Sequence, residues 1–223
     1  MLEALAPPPL SRFVNLRNPH QMESPAQAIE RQKAELRSQS DDDLLRELQS
    51  LAVLPAEDSG AWGADSDWWH AAERFTALAD LAAERRLHAA IPLLLARSCY
   101  GDPGEMMRGL RHALEAIVAP DYDALTPFCV AAAPSPQPGA RLWAVDELGV
   151  LRDRRGLDAL LRALSDSATE VRRTACRSLS MLTQEHPELR AEIVAALGSY
   201  RDTAADARDQ KDADRAIQRI VAG

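Results

Sequence analysis

The chain has 223 residues, of which 46% are apolar but only 4% aromatic, and its 34 acidic and 26 basic side chains leave a net charge of −8. That length suits one compact domain or one short solenoid, and a core drawn from Ala, Leu, Ile and Val favours helix-on-helix packing over a sheet sandwich. The acidic balance argues against a phosphate-tracking surface, no run approaches the roughly 18 apolar residues that cross a bilayer, and the start, MLEALAPPPLSRF, lacks a signal-peptide pattern, so a cytoplasmic protein with no membrane or nucleic-acid partner is expected.

Residues 1–24 carry Pro7, Pro8, Pro9 and Pro19 with little periodicity, which predicts an extended arm. Ser24-Pro25 then starts a helix, Ser as cap and Pro at the first helical position, with Ala28, Ile29, Gln32 and Leu36 at helical spacing to about Ser38. Ser40 caps a second helix whose first turn, Asp41, Asp42 and Asp43, meets the positive end of the helix dipole, with Leu44, Leu45, Leu48 and Leu51 as its apolar face. Residues 55–67 break the pattern and carry Trp62.

A helix pair over 68–84 and 87–98 follows, joined by a turn at 85–89, and after the Gly101-Asp102-Pro103-Gly104 breaker a second pair runs over 105–118 and 121–132. The prolines of 134–139 make a stiff connection to a third pair, 140–151 and 156–165. A fourth pair spans 169–183 and 187–199, with Pro187 starting its second helix. A last amphipathic helix over 204–222 sets Ala213, Ala216, Ile217 and Ile220 on one side, as a cap shielding the end of a stack.

The third and fourth pairs repeat each other. ARLWAVDELGVL at 140–151 is echoed by VRRTACRSLSML at 171–182, so that Arg141 and Arg172, Ala144 and Ala175, Leu148 and Leu179, and Leu151 and Leu182 all share one offset. A fixed offset that carries small and large apolar residues to equivalent places marks a stacked repeat of helix pairs. Ala144 and Ala175 let helices approach within about 8–10 Å, while Leu148 and Leu179 fill the core between them. The 68–98 pair matches the third at offsets of 70 and 66, and YDAL at 122–125 mirrors LDAL at 157–160.

With an Arg near the start of the first helix, an Ala a few residues on, Leu148-Gly149 near its end, a basic turn, an apolar second helix and Asp166 in the next turn, residues 140–182 resemble the bacterial HEAT-like repeats of phycobilisome lyase type. The resemblance implies an all-α, α-α superhelix (a HEAT-like or armadillo-type solenoid) of about four helix pairs, preceded by an N-terminal pair and closed by a capping helix. Residues 25–223 then form one solenoid domain, its repeats clearest over 68–132 and 140–199. That family holds scaffolds, lyases and chaperone-like factors, so fold alone does not select among them.

Few residues suggest chemistry. Arg141 and Arg172 read as stacking residues that pair with an Asp or a turn carbonyl of the neighbouring unit, and the RDRR cluster at 152–155 reads as a solvated turn. Cys99, Cys129 and Cys176 lie in apolar helical stretches and read as buried structural thiols of a reducing compartment. The chain contains no His-Glu dipeptide of the di-iron HEAT type, P-loop, GxGxxG after a strand or GxSxG, so no catalytic residue, metal or cofactor is expected. Solenoids bind through the exposed positions of their second helices, which nominates Asp158, Arg162, Glu188 and Glu192 for contact with a protein or peptide. Trp62, Trp68 and Trp69, clustered in an acidic stretch, form a second candidate patch. The expected function is a non-enzymatic protein-interaction scaffold. The alternatives are an inhibitor or immunity protein that uses the acidic charge to mask a basic partner, and a lyase- or chaperone-like protein that holds a chromophore or client.

Overall fold

The computed structural model describes residues 23–51, 67–96 and 106–222, with the side chains of 67–69 and 106–108 outside that description. Its helices are α1 (Pro25–Leu36), α2 (Asp41–Ser50), α3 (Asp67–Glu84), α4 (Ile91–Ala96), α5 (Met106–Val118), α6 (Thr126–Ala132), α7 (Pro138–Leu151), α8 (Leu157–Ala163), α9 (Thr169–Glu185), α10 (Arg190–Thr203) and α11 (Ala207–Ala222), and no strand occurs among the described residues. These are an N-terminal pair, four repeat pairs and a cap. Apart from Glu23 and Ser24, the arm expected over 1–24 lies outside the described residues, as do the 101–104 breaker and most of the 55–67 loop.

Local chemistry fixes the ends. Ser24 and Gln27 form a reciprocal capping box, each side chain accepting from the other's backbone N–H, with Pro25 in the first turn of α1. Ser40 Oγ accepts from the Asp43 N–H at 3.2 Å to start α2. Three boundaries depart from expectation. Pro138 and Gly139 belong to α7 rather than to the proline connection, because a first-turn residue needs no N–H. α10 runs past residue 199 to Thr203, so the cap starts at Ala207 rather than 204. Each repeat's second helix is entered through a 3₁₀ turn, at His88–Ala90, Tyr122–Leu125, Arg154–Gly156 and Pro187–Leu189, so Pro187 starts the 3₁₀ turn and not the α-helix.

The turns after α3 and α7 hold Arg86 and Arg152 in left-handed backbone, φ 53° and 52°. Both side chains reach forward to the end of the next repeat's first helix: Arg86 Nη1 donates to the Ala119 carbonyl at 3.4 Å and Arg152 Nη1 to Glu185 Oε1 at 3.1 Å.

The first helices form one layer, in which α1 packs on α3, α3 on α5, α7 on α9 and α9 on α11, and the second helices form the other. α7 sits at the centre of the stack. It is buried on nearly every side, from Ala140 through Trp143, Ala144, Val145, Glu147 and Leu148 to Gly149, as expected for a helix that is apolar all round. Ala144, Ala175, Leu148 and Leu179 are fully buried, as the repeat demands. The cap behaves likewise: Ala213, Ala216 and Ile220 are buried, Ile217 packs against the core, and α11 covers both α9 and α10. At the other end Lys33 reaches Glu30, Asp80 and Glu84, and Arg85 donates to the carbonyls of Gln39 and Arg37, which docks the N-terminal pair onto α3.

Candidate functional site

Asp158 and Arg162 are exposed one turn apart on α8, Glu192 is exposed on α10, and Glu188 is exposed in the 3₁₀ turn ahead of α10, its Oε1 3.4 Å from His186 Nδ1. All four lie on the second-helix layer. Trp68 and Trp69 fall in the first turn of α3, their side chains outside the described residues, and Trp62 lies outside them altogether.

The same layer holds a feature that sequence reasoning missed. Between α4 and α6, against the start of α7, a cavity of about 250 Å³ is lined by Pro92, Leu95, Phe128, Ala131, Ala132 and Ala140. A signal for it was available: α4 (IPLLLA) and α6 (TPFCVAA) carry no charged residue, unlike α8 and α10. A second helix that packs one face inward and leaves an uncharged face outward presents apolar surface to solvent.

The repeated arginines are structural. Arg141 grips Asp166 with both sides of its fork, Nε at 2.7 Å and Nη2 at 2.8 Å, and donates to the Ser135 carbonyl. Arg172 does the same one repeat on, donating to Asp209 at 2.6 and 3.0 Å and to the Asp166 carbonyl at 2.9 Å. Burial disfavours both carboxylates in charged form, but the guanidinium hydrogen bonds and charges outweigh it and hold Asp166 and Asp209 below the ordinary carboxylate range. The RDRR turn is tied down too: Arg155 binds Asp153 and the Asp123 carbonyl, and Arg152 binds Glu185.

One ionisable cluster is buried. Glu147, with no exposed surface, accepts from Arg111 Nε at 3.0 Å and Nη2 at 2.8 Å and from the Tyr122 hydroxyl. Burial outweighs these donors and raises Glu147 above its ordinary range; it also pushes up the Tyr122 hydroxyl, with the Glu147 hydrogen bond adding to the shift. The neighbouring Cys129 thiol is raised by burial and by the Glu147 charge, and Cys176 is pushed up to about 12, chiefly by burial. Neither is an activated nucleophile at neutral pH. Cys99 lies outside the described residues. Among the described residues no group of His, Cys, Asp and Glu gathers as a metal set, and no helix is long and apolar enough to cross a membrane.

Paired helices stacked in two layers, with an arginine–aspartate tie at successive units, define a helical repeat solenoid. Residues 125–185, which run from the 3₁₀ turn before α6 to the end of α9, match the family of HEAT repeats, so the chain carries HEAT-like repeats over that stretch. It is 43% identical over 69 residues to the bilin biosynthesis protein RpcF of Synechococcus sp. (strain WH8020), a match covering 29% of this chain and about a third, 33%, of that protein's length. The crystal structure of an engineered protein aligns with 87% of this chain and 96% of its own, at 18% identity and a TM-score of 0.45.

Proposed function

We propose that the chain is a non-enzymatic bacterial adaptor of the cytoplasm, one solenoid domain that holds an extended segment of a partner protein along its second-helix layer. One observation carries the reading: the second helices hold an open, uncharged cleft between α4 and α6 and, further along the chain, expose Asp158 and Arg162 on α8, Glu188 in the turn ahead of α10 and Glu192 on α10. An apolar centre anchors a peptide and a charged rim selects it. Trp62, Trp68 and Trp69 belong to the same reading as aromatic anchors for that partner.

A second reading has its own support. Similarity to a protein named for bilin biosynthesis favours a lyase- or chaperone-like role in which the surface holds a chromophore-bearing client.

The test is capture from native lysate with the tagged full chain and its Ala131→Glu and Arg162→Glu variants, at low and high salt, with mass spectrometry and an absorbance scan of the eluate. One stoichiometric protein, reduced at least tenfold by either substitution, supports the adaptor. A coloured eluate moves the assignment to the second reading, and capture unchanged by both substitutions overturns the proposed surface. Loss at high salt with a basic partner marks an inhibitor that works by charge.

A further inference from the structure

The opposite layer carries a sequence pattern that the repeat does not require. α9 reads Glu170-x-x-Arg173-Thr174-x-x-Arg177, and α11 reads Asp212-x-x-Arg215-Ala216-x-x-Arg219. Spacings of three, four and seven put each set on one face of its helix, and the fold turns the two faces toward each other. Those eight residues line a groove of about 260 Å³ between α9 and α11.

The groove presents four guanidinium groups and two carboxylates in a chain whose net charge is −8. Its floor is small, half-buried Thr174 and buried Ala216, so the arginines flank a depression instead of filling it. Their surroundings differ. Arg173 is largely occupied, lying 3.1–3.5 Å from Glu170, Asp206, Asp209 and Asp212. Arg177 has one ionic partner, Asp146 on α7, outside the groove lining, and Arg215 has one, Asp212 at 3.2 Å. Arg219 is exposed and makes no ion pair or hydrogen bond among the described residues. An arginine offers five N–H donors, so Arg177, Arg215 and Arg219 keep unused donors on both walls of one depression.

We infer that the α9–α11 groove is a binding site for a compact polyanion, a small molecule carrying two or more phosphate or carboxylate groups close together. Arg215 and Arg219 stand one turn apart, about 6 Å along the axis, which matches two neighbouring oxyanions. The arginine fork suits either oxyanion bidentately. The groove is smaller than the roughly 300–1,000 Å³ of sites that engulf drug-sized ligands, so it takes a compact anion and not a large apolar body. The inference is independent of the partner surface on the second-helix layer.

The experiment is calorimetric titration of the full chain at low ionic strength with pyrophosphate, with citrate and with a glutamate-rich peptide. Pyrophosphate or citrate binds with one-to-one stoichiometry, and its affinity falls about tenfold in Arg219→Gln and again in Arg215→Gln, the loss expected for a charge-assisted hydrogen bond. Pyrophosphate preferred over citrate identifies a phosphate ligand, and the reverse a polycarboxylate. Arg46→Gln, on α2, leaves binding unchanged. Thermal melting without ligand stays at the parent value in Arg219→Gln, which keeps the result separate from folding. No heat with either small anion, affinity indifferent to both groove substitutions, or binding of the peptide alone overturns the inference.

Discussion

Glu147 and Ser178 hold the same place in successive repeats and both are fully buried, yet they close their seams in opposite ways. Ser178 faces α7 at backbone range. Its hydroxyl donates to the Val145 carbonyl at 2.8 Å, and Gly149 lies so near that a Cβ there would meet Ser178 Cα at 2.8 Å. Glu147 faces α5 across a wider gap. α7 packs on α6 and reaches α4, and its link to α5 is made by the long side chains of Arg111 and Glu147, with Tyr122 closing the cluster. One seam is held by proximity and small residues, the other by a buried ionic cluster. The first kind tolerates little change in volume, and the second little change in charge.

Substitutions that separate the two kinds of seam begin with Leu179→Ala. Removing a fully buried leucine at the tight seam should cost about 2–5 kcal/mol in urea unfolding, and a loss under about 1 kcal/mol is incompatible with the packing described. At the other seam Arg111→Ala strands the Glu147 carboxylate and should cost about 3 kcal/mol. The double change Arg111→Met with Glu147→Leu should recover most of it, because desolvation opposes the pair even when it is formed. A double variant as unstable as the single one would mean that the ion pair itself, and not relief of a stranded charge, holds the seam.

Gly149→Ala probes backbone proximity and should cost about 1–3 kcal/mol by overpacking. Ser178→Ala should not rescue it, since the added methyl also meets Ser178 Cβ and Cα, which alanine keeps.

The seams also titrate in opposite senses. Asp166 and Asp209 are depressed from an ordinary 3.8, so their stabilisation is complete above that value and is lost as pH falls through their lower folded values. Glu147 is raised from 4.5, so between that value and its folded one the native chain binds the extra proton and acidification favours folding at this group. Stability measured against pH should therefore lose part of its lower limb in Asp166→Asn, with Asp209 keeping its own share, and change its slope only above about pH 4.5 in Glu147→Gln. Smallest of all, Asp158→Asn and Glu192→Gln on the exposed second-helix layer should alter stability by less than about 0.5 kcal/mol.

The tight seam was the legible one. Ala175, Leu179 and the Leu148-Gly149 pair announce it because a backbone approach demands small residues at fixed intervals, and Arg141 and Arg172 could be read as ties for the same reason. Glu147 was silent, since a glutamate at a repeat position looks solvated until the fold supplies Arg111 and Tyr122 from 36 and 25 residues away. The apolar cleft escaped because its lining comes from two helices well separated in sequence, each of which reads as ordinary core. The α9–α11 groove escaped because its paired motifs are out of step with the repeat's own period. The exposed positions Asp158, Arg162, Glu188 and Glu192 were foreseeable from helical phase alone, but phase does not separate a contact from a solvated side chain.

Arg86 and Arg152 give the stack a mechanical property. Each spans from the turn of one repeat to the far end of the next repeat's first helix, so a motion that opens the joint between those two repeats must also break the strap across it. The anchors differ: Arg152 pulls on the carboxylate of Glu185, exposed to solvent, and Arg86 on the uncharged carbonyl of Ala119. Salt screens the first far more than the second, so added electrolyte weakens the Arg152 strap while leaving the Arg86 strap in place.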